Sequence, residues 1–205
     1  MLAELLGLVV PPRCAVCGAE CALRAELCEG CESGLGRLPP QSTAVPGLDA
    51  AWSAAPYQDA ARDLVVALKF RARLPLAGRA AAVIAARAPA CLLEGTLVPV
   101  PPAPGRRRWR GFDAAEAIAS GLSVETGLPL ELCLRRSQGR RQVGRPRTER
   151  LAAPPRVRLA GPPPAAAVLV DDVVTTGATL GACAQALRSG GCGRVVALTF
   201  ARSGS

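Results

Sequence analysis

Val168-Leu-Val-Asp171-Asp172-Val-Val-Thr175-Thr176-Gly177-Ala178-Thr179-Leu180 is the stretch that decides the fold. It reads as a buried apolar strand, two carboxylates at its C-terminal end, and a Thr/Gly turn that opens a helix. Open α/β sheets take their ligands at that position, outside the carboxyl ends of the strands. Gly177 lets the backbone curl tightly. The N–H groups from Thr175 to Thr179, with Thr176 and Ala178 between, can then converge on a phosphate at the helix start. The threonine hydroxyls add donors, and Asp171 and Asp172 suit two vicinal sugar hydroxyls that donate to them. Taken alone, the segment reads as a pocket for a ribose 5-phosphate. A Walker-B-like strand is the competing reading, and a double acid followed by Thr-Thr-Gly-x-Thr argues against it.

The flanking sequence alternates strand and helix patterns. Strands are expected at residues 51–57, 96–100, 165–170 and 194–201, and helices at 58–70, 76–87, 112–126 and 179–189. The strand at 96–100 runs into a proline-rich turn. This alternation predicts an α/β fold whose sheet is mostly parallel and flanked by helices, with right-handed crossovers. Residues 135–150 are dense in Arg and Gly with almost no apolar periodicity, so a mobile, solvated loop is expected there. Residues 34–47 have linker composition, which divides the chain into a small module over 1–45 and an α/β domain over 46–205.

The module is defined by its cysteines. Of nine in the chain, five crowd together: Cys14, Cys17, Cys21, Cys28 and Cys31. Cys14-Ala-Val-Cys17 and Cys28-Glu-Gly-Cys31 are two CxxC knuckles, each able to aim two sulfurs at one centre. Together they complete an all-sulfur tetrahedral site for Zn²⁺, structural because the protein fills every position. Cys21 is a fifth sulfur able to replace one of them. A redox role needs a CxxC at the start of a helix that follows an apolar strand, and neither knuckle is expected there.

Composition sets further bounds. The chain has no histidine, which excludes Ser-His and Cys-His nucleophiles and His-ligated metals. Its formal charge is +9, which either attracts phosphate-bearing partners or serves only solubility in an arginine-biased composition. The opening apolar run (Leu2, Leu5, Leu6, Val9) is too short to span a bilayer and has no basic flank. It reads as an amphipathic lead-in, and a cytoplasmic location without a membrane span is expected. Lys69 is the only lysine among 25 basic residues. Either it presents a compact charge to phosphate or it is a helix C-terminal cation favoured by the macrodipole. Arg106-Arg-Arg-Trp-Arg110 places an aromatic among four arginines, with Phe112 just beyond, and residues 135–158 carry nine more arginines. Arginine tracks with a stacking ring suit single-stranded DNA, so Arg106, Arg107, Arg108, Trp109 and Arg110 are nucleic-acid candidates.

The segment over 168–180 resembles, along its whole length, the motif that binds phosphoribosyl pyrophosphate (PRPP) in type I phosphoribosyltransferases. The resemblance spans the chain and narrows to the ComF family of competence proteins, which includes GntX-like proteins. Residues 5–18, Leu-Leu-Gly-Leu-Val-Val-Pro-Pro-Arg-Cys-Ala-Val-Cys-Gly, are similar to that family's start, as is Val98-Pro-Val-Pro101 followed by Arg110-Gly-Phe112. Gln142 and Arg150 match a further family pattern. Asp113 and Ala153 stand where Asn is expected, and Val157 where Phe is expected.

The resemblance implies a type I phosphoribosyltransferase fold behind a zinc ribbon. It implies that Asp171 and Asp172 hold the ribose 2- and 3-hydroxyls while Thr175, Thr176, Gly177, Ala178 and Thr179 hold the 5-phosphate. The turn from Pro99 and Val100 to Pro104 would be the pyrophosphate loop, with Arg110 as a cation beside Mg²⁺. Lys69 falls where the family often has Lys-aromatic. The implied activity is phosphoribosyl transfer with the acceptor open, in the cytoplasmic handling of DNA during natural transformation. Other competence proteins are implied partners for the ribbon. A single-stranded-DNA-binding factor or a PRPP sensor without turnover is the alternative.

Overall fold

The structure is a computed structural model, which describes residues 12–23, 25–103, 111–136 and 155–204. The lead-in residues, Pro104 and the Arg106–Arg110 candidates, and Gln142, Arg150 and Ala153 lie outside the described residues.

Long apolar runs rich in Val, Leu and Ala make strands that are buried on both faces, as parallel sheets require. β1 (Gln41–Thr43), β2 (Ala50–Pro56), β3 (Thr96–Pro99), β6 (Ala166–Val174) and β7 (Arg194–Arg202) form one sheet in the order β1-β2-β7-β6-β3. β1 is antiparallel to β2, and the other pairings are parallel. β6 and β7, nine residues each, lie in the interior of the sheet. A buried hydroxyl pair, Ser53 Oγ and Thr199 Oγ1 at 2.6 Å, satisfies the polar atoms that β2 and β7 bring inside. β6 is longer than expected, so Asp171 and Asp172 sit within the strand and Val174 ends it.

Helices α2 (Asp59–Phe70), α3 (Pro75–Arg87) and α4 (Ala114–Thr126) cover one face. Leu64, Leu68, Leu76, Ile84, Ile118 and Leu122 pack there with Val168, Val170, Leu198 and Phe200. α5 (Ala178–Ser189) covers the other, where Leu180, Cys183 and Leu187 meet Leu169, Val195 and Ala197. Pro75 starts α3, where its missing N–H costs nothing. Asp113 caps α4, its carboxylate accepting from the Ala115 and Glu116 N–H groups. A Cβ on Gly121 would lie 2.9 Å from Ala81 Cβ, so the glycine lets α4 approach α3 closely.

Leu130 makes a parallel bridge to Leu97. After β3 the chain therefore passes through α4 to the outer side of β3, whereas after β6 it passes through α5 on the opposite face towards β7. The crossovers diverge between β3 and β6, and a crevice opens at their C-terminal ends.

Two expectations are corrected here. The run over 34–47 does not behave as a linker. Gly34 to Arg37 end helix α1 (Glu29–Arg37), Gln41–Thr43 is strand β1, and Val45 is buried against α5. The loop expected from residue 135 begins instead in a ribbon, β4 (Leu134–Arg136) paired antiparallel with β5 (Val157–Leu159).

The cysteine module rests on the helices of the main sheet. Cys14, Val16, Leu27, Leu35 and Leu38 share one apolar cluster with α2 and α3. Three arginines tie it down: Arg71 donates to Val16 O at 2.9 Å, Arg79 pairs with Glu32, and Arg87 reaches Gly36 O at 2.8 Å. Among the described residues no helix is long and apolar enough to cross a membrane.

Candidate functional site

A cavity of about 440 Å³ occupies the crevice at the C-terminal edge of the parallel strands. Asp171 and Asp172 from β6, Lys69 from the last turn of α2, and Thr175 and Thr179 around the start of α5 all line it. The turn after β3 contributes Val100, Pro101, Pro102 and Ala103. Val100 is fixed by its N–H, which donates to Val170 O at 2.9 Å. Pro99 lines the adjoining cavity of about 300 Å³, which shares Val100, Asp113 and Arg136 with the first.

The acids and the lysine form one electrostatic unit. Lys69 Nζ donates to Asp172 Oδ1 at 2.7 Å, both side chains being largely buried. Asp171 Oδ1 accepts from the Asp172 N–H at 2.8 Å. Burial, and then the charge of Asp172, hold the Asp171 carboxyl well above the usual carboxylate range. Burial likewise raises Asp113, with Glu116 and Asp172 adding to the effect against the two N–H groups it accepts. Three carboxyls thus face one cavity, and Lys69 neutralises part of their charge.

The turn ahead of α5 explains its sequence. Gly177 is buried with φ +76°, in the left-handed region, and a Cβ there would lie 2.8 Å from Val45 Cγ2. Gly177 has no side chain to cap the helix, so the capping of the first N–H groups of α5 falls to neighbouring side chains, a ligand or water. Thr176 Oγ1 accepts from the Ala178 N–H at 3.4 Å. Thr176, Gly177 and Ala178 line a separate groove of about 1250 Å³ between α5 and β5, with Arg156, Arg158 and Arg188. Of the threonines, Thr175 and Thr179 are the ones that face the acids. Gly177→Ala is expected to lower stability by about 2 kcal/mol, from the left-handed φ and the clash together. Urea unfolding of the wild type, Gly177→Ala and Gly177→Ala/Val45→Ala checks this. The double variant should recover the steric share, and an unchanged midpoint for Gly177→Ala would refute the account.

The cavity has members that the sequence did not single out. Arg136, at the end of β4, donates from Nη2 to Thr179 Oγ1 at 2.9 Å. Tyr57 and Ser203, at the ends of β2 and β7, complete the wall. Arg136 was hidden in an arginine-rich run whose lack of periodicity pointed to a solvated loop. The short pairing of Leu134 with Leu159 is what brings it inward.

The second candidate site is a metal centre. The sulfurs of Cys14, Cys17, Cys28 and Cys31 all lie within 4.8 Å of one another, with Cys17 and Cys28 3.6 Å apart. Zn–S bonds of about 2.3 Å in a tetrahedron put the sulfurs about 3.8 Å apart. The donor set and spacing therefore suit zinc. Cys28 is the N-cap of α1, so the second knuckle opens a helix, but among the described residues no strand precedes it, as the expectation against a redox arrangement requires. Cys21 stands apart, its thiol donating to Ala25 O at 3.2 Å. Burial pushes the Cys14 thiol up, but the N–H groups of Cys17, Cys28 and Val16 outweigh it and bring the pKa down to about 6. Burial raises Cys31, and its sulfur neighbours add to that. Clustered sulfurs therefore favour a cation among them.

Neither the family models nor the curated proteins give a match to this chain.

Proposed function

We propose that this chain binds PRPP in the crevice at the end of β3 and β6 and belongs with the phosphoribosyltransferases of the ComF kind. The observation that carries the reading is the convergence of Asp171, Asp172, Lys69, Thr175 and Thr179 on one cavity. Carboxylates suited to ribose hydroxyls lie there beside Thr175 and Thr179, whose hydroxyls suit a 5-phosphate. The turn from Val100 to Ala103 would take the pyrophosphate. Mg²⁺, bound with that group, supplies charge neutralisation on the leaving oxygen.

In transfer, a nucleophile forms a bond to the anomeric carbon as the bond to pyrophosphate breaks, through an oxocarbenium-like state. The protein's share is placement: Asp171 and Asp172 hold the sugar, and Lys69 holds Asp172. Absence of histidine is no obstacle, because none of these steps needs an imidazole. The acceptor, a role in natural competence, and contacts of the ribbon with other competence proteins are carried by the family resemblance alone.

Calorimetric titration of the full chain with PRPP and Mg²⁺ is the test, and micromolar binding is expected. No binding by the wild type would overturn the proposal. The Arg106–Arg110 segment, as a single-stranded-DNA contact, would then take first place.

A further inference from the structure

We infer that Arg136 is a phosphate-binding side chain of this pocket, gripping the monoester phosphate of the ligand together with Thr175 and Thr179. The inference rests on the reading of the pocket as a sugar-phosphate site and assigns it a cation absent from the sequence motif.

Three observations converge on Arg136. Its Nη2 donates to Thr179 Oγ1 at 2.9 Å. With that oxygen accepting, the hydroxyl proton of Thr179 is directed elsewhere, and the cavity that both residues line is open to it. Its Nε is buried and has no hydrogen-bond partner. A buried guanidinium donor left unmatched is costly unless a ligand completes it. Among the described residues Arg136 also takes part in no ion pair, the pairs there being Lys69–Asp172, Arg79–Glu32 and Arg188–Asp49.

Of the charged groups that line the cavity, Asp172 is paired with Lys69, whereas Asp171, Asp113 and Arg136 take part in none of the ion pairs among the described residues. Arg136 stands with Thr179, where an incoming anion meets a hydroxyl donor and a guanidinium fork. The planar fork matches two oxygens of a phosphate at once, which an ammonium does not do. A phosphate monoester, dianionic near neutral pH, satisfies this donor set better than a neutral sugar hydroxyl would.

The alternative is a purely structural tie from the β4–β5 ribbon to α5. Thermal melting of the full chain separates the two, with inorganic phosphate, ribose 5-phosphate or PRPP added. Wild type, Arg136→Gln and Arg136→Lys are compared. Arg136→Gln is expected to lose the ligand-induced rise in melting temperature and to bind ribose 5-phosphate and PRPP about 10- to 100-fold more weakly. Arg136→Lys, which keeps the charge and loses the fork, is expected to fall between and serves if the glutamine variant does not fold. A structural tie would lower the ligand-free melting temperature while leaving the ligand-induced rise intact, and that result would overturn the inference alone. A wild type stabilised by inorganic phosphate in an Arg136-dependent way, but not by PRPP, would support the phosphate site and sink the PRPP reading. A wild type stabilised by none of the three would overturn both.

Discussion

Asp171→Asn/Asp172→Asn is expected to bind PRPP at least 100-fold more weakly than the wild type. Each carboxylate would accept from a sugar hydroxyl, and a hydrogen bond to a charged group is worth about 1.5–3 kcal/mol. The same change should make the ligand-free protein sturdier at Asp171. Its folded pKa is raised, by burial first and by Asp172 second. The raised value means that the fold favours the protonated acid. Its contribution is fully present below the unfolded value of about 3.9 and is lost as the pH rises through the folded value. Asparagine has no proton to lose. The single variant Asp171→Asn should therefore melt above the wild type, by a gap that opens as the pH is raised from about 4 towards neutrality. Asp172→Asn should not share the gain, because it strands Lys69 largely buried beside Asp171. Calorimetric titration with PRPP and melting curves across pH measure both halves. PRPP affinity within threefold of wild type in the double variant would remove the acids from the binding site.

The second large effect is expected from the metal centre. One zinc per chain should be found by elemental analysis, and Cys14→Ser or Cys31→Ser should lose it. Structural zinc contributes on the order of 10 kcal/mol to folding in small cysteine modules. Among the described residues from 12 to 38, the buried aliphatic side chains are Val16, Leu27, Leu35 and Leu38, and they lean on α2 and α3. Chelation should therefore release residues 12–38 to proteolysis while the main sheet stays folded. The control is Cys21→Ser, whose sulfur stands outside the cluster and should keep the metal. Zinc lost by Cys21→Ser and retained by Cys14→Ser would reverse the ligand assignment.

The fold was legible where the sequence signals are local. Parallel strands buried on both faces read as apolar runs, and β2, β6 and β7 fall where their patterns put them, within a few residues. The paired knuckles fixed four converging sulfurs by spacing alone. The pocket acids were legible because a double carboxylate at the end of an apolar strand has few other uses. What stayed hidden depends on contacts distant in sequence. Gln41–Thr43 pairs as a strand only because β2 offers an edge, and residues 45–47 look like linker until Val45 meets Gly177. Arg136 is one arginine among many until the ribbon places it beside Thr179. Lys69 was singled out by its rarity, yet its partner, Asp172, lies 103 residues away along the chain.

The edges of the main sheet bear on how the protein behaves at high concentration. Its longest and most apolar strands, β6 and β7, have neighbours on both sides. One border is the three-residue, polar β1, and the other is the four-residue β3, already bridged by Leu130. A foreign strand seeking unpaired backbone groups finds only short stretches on either side. The native state should therefore resist self-association through its sheet, and aggregation should have to wait for unfolding that uncovers β6 and β7.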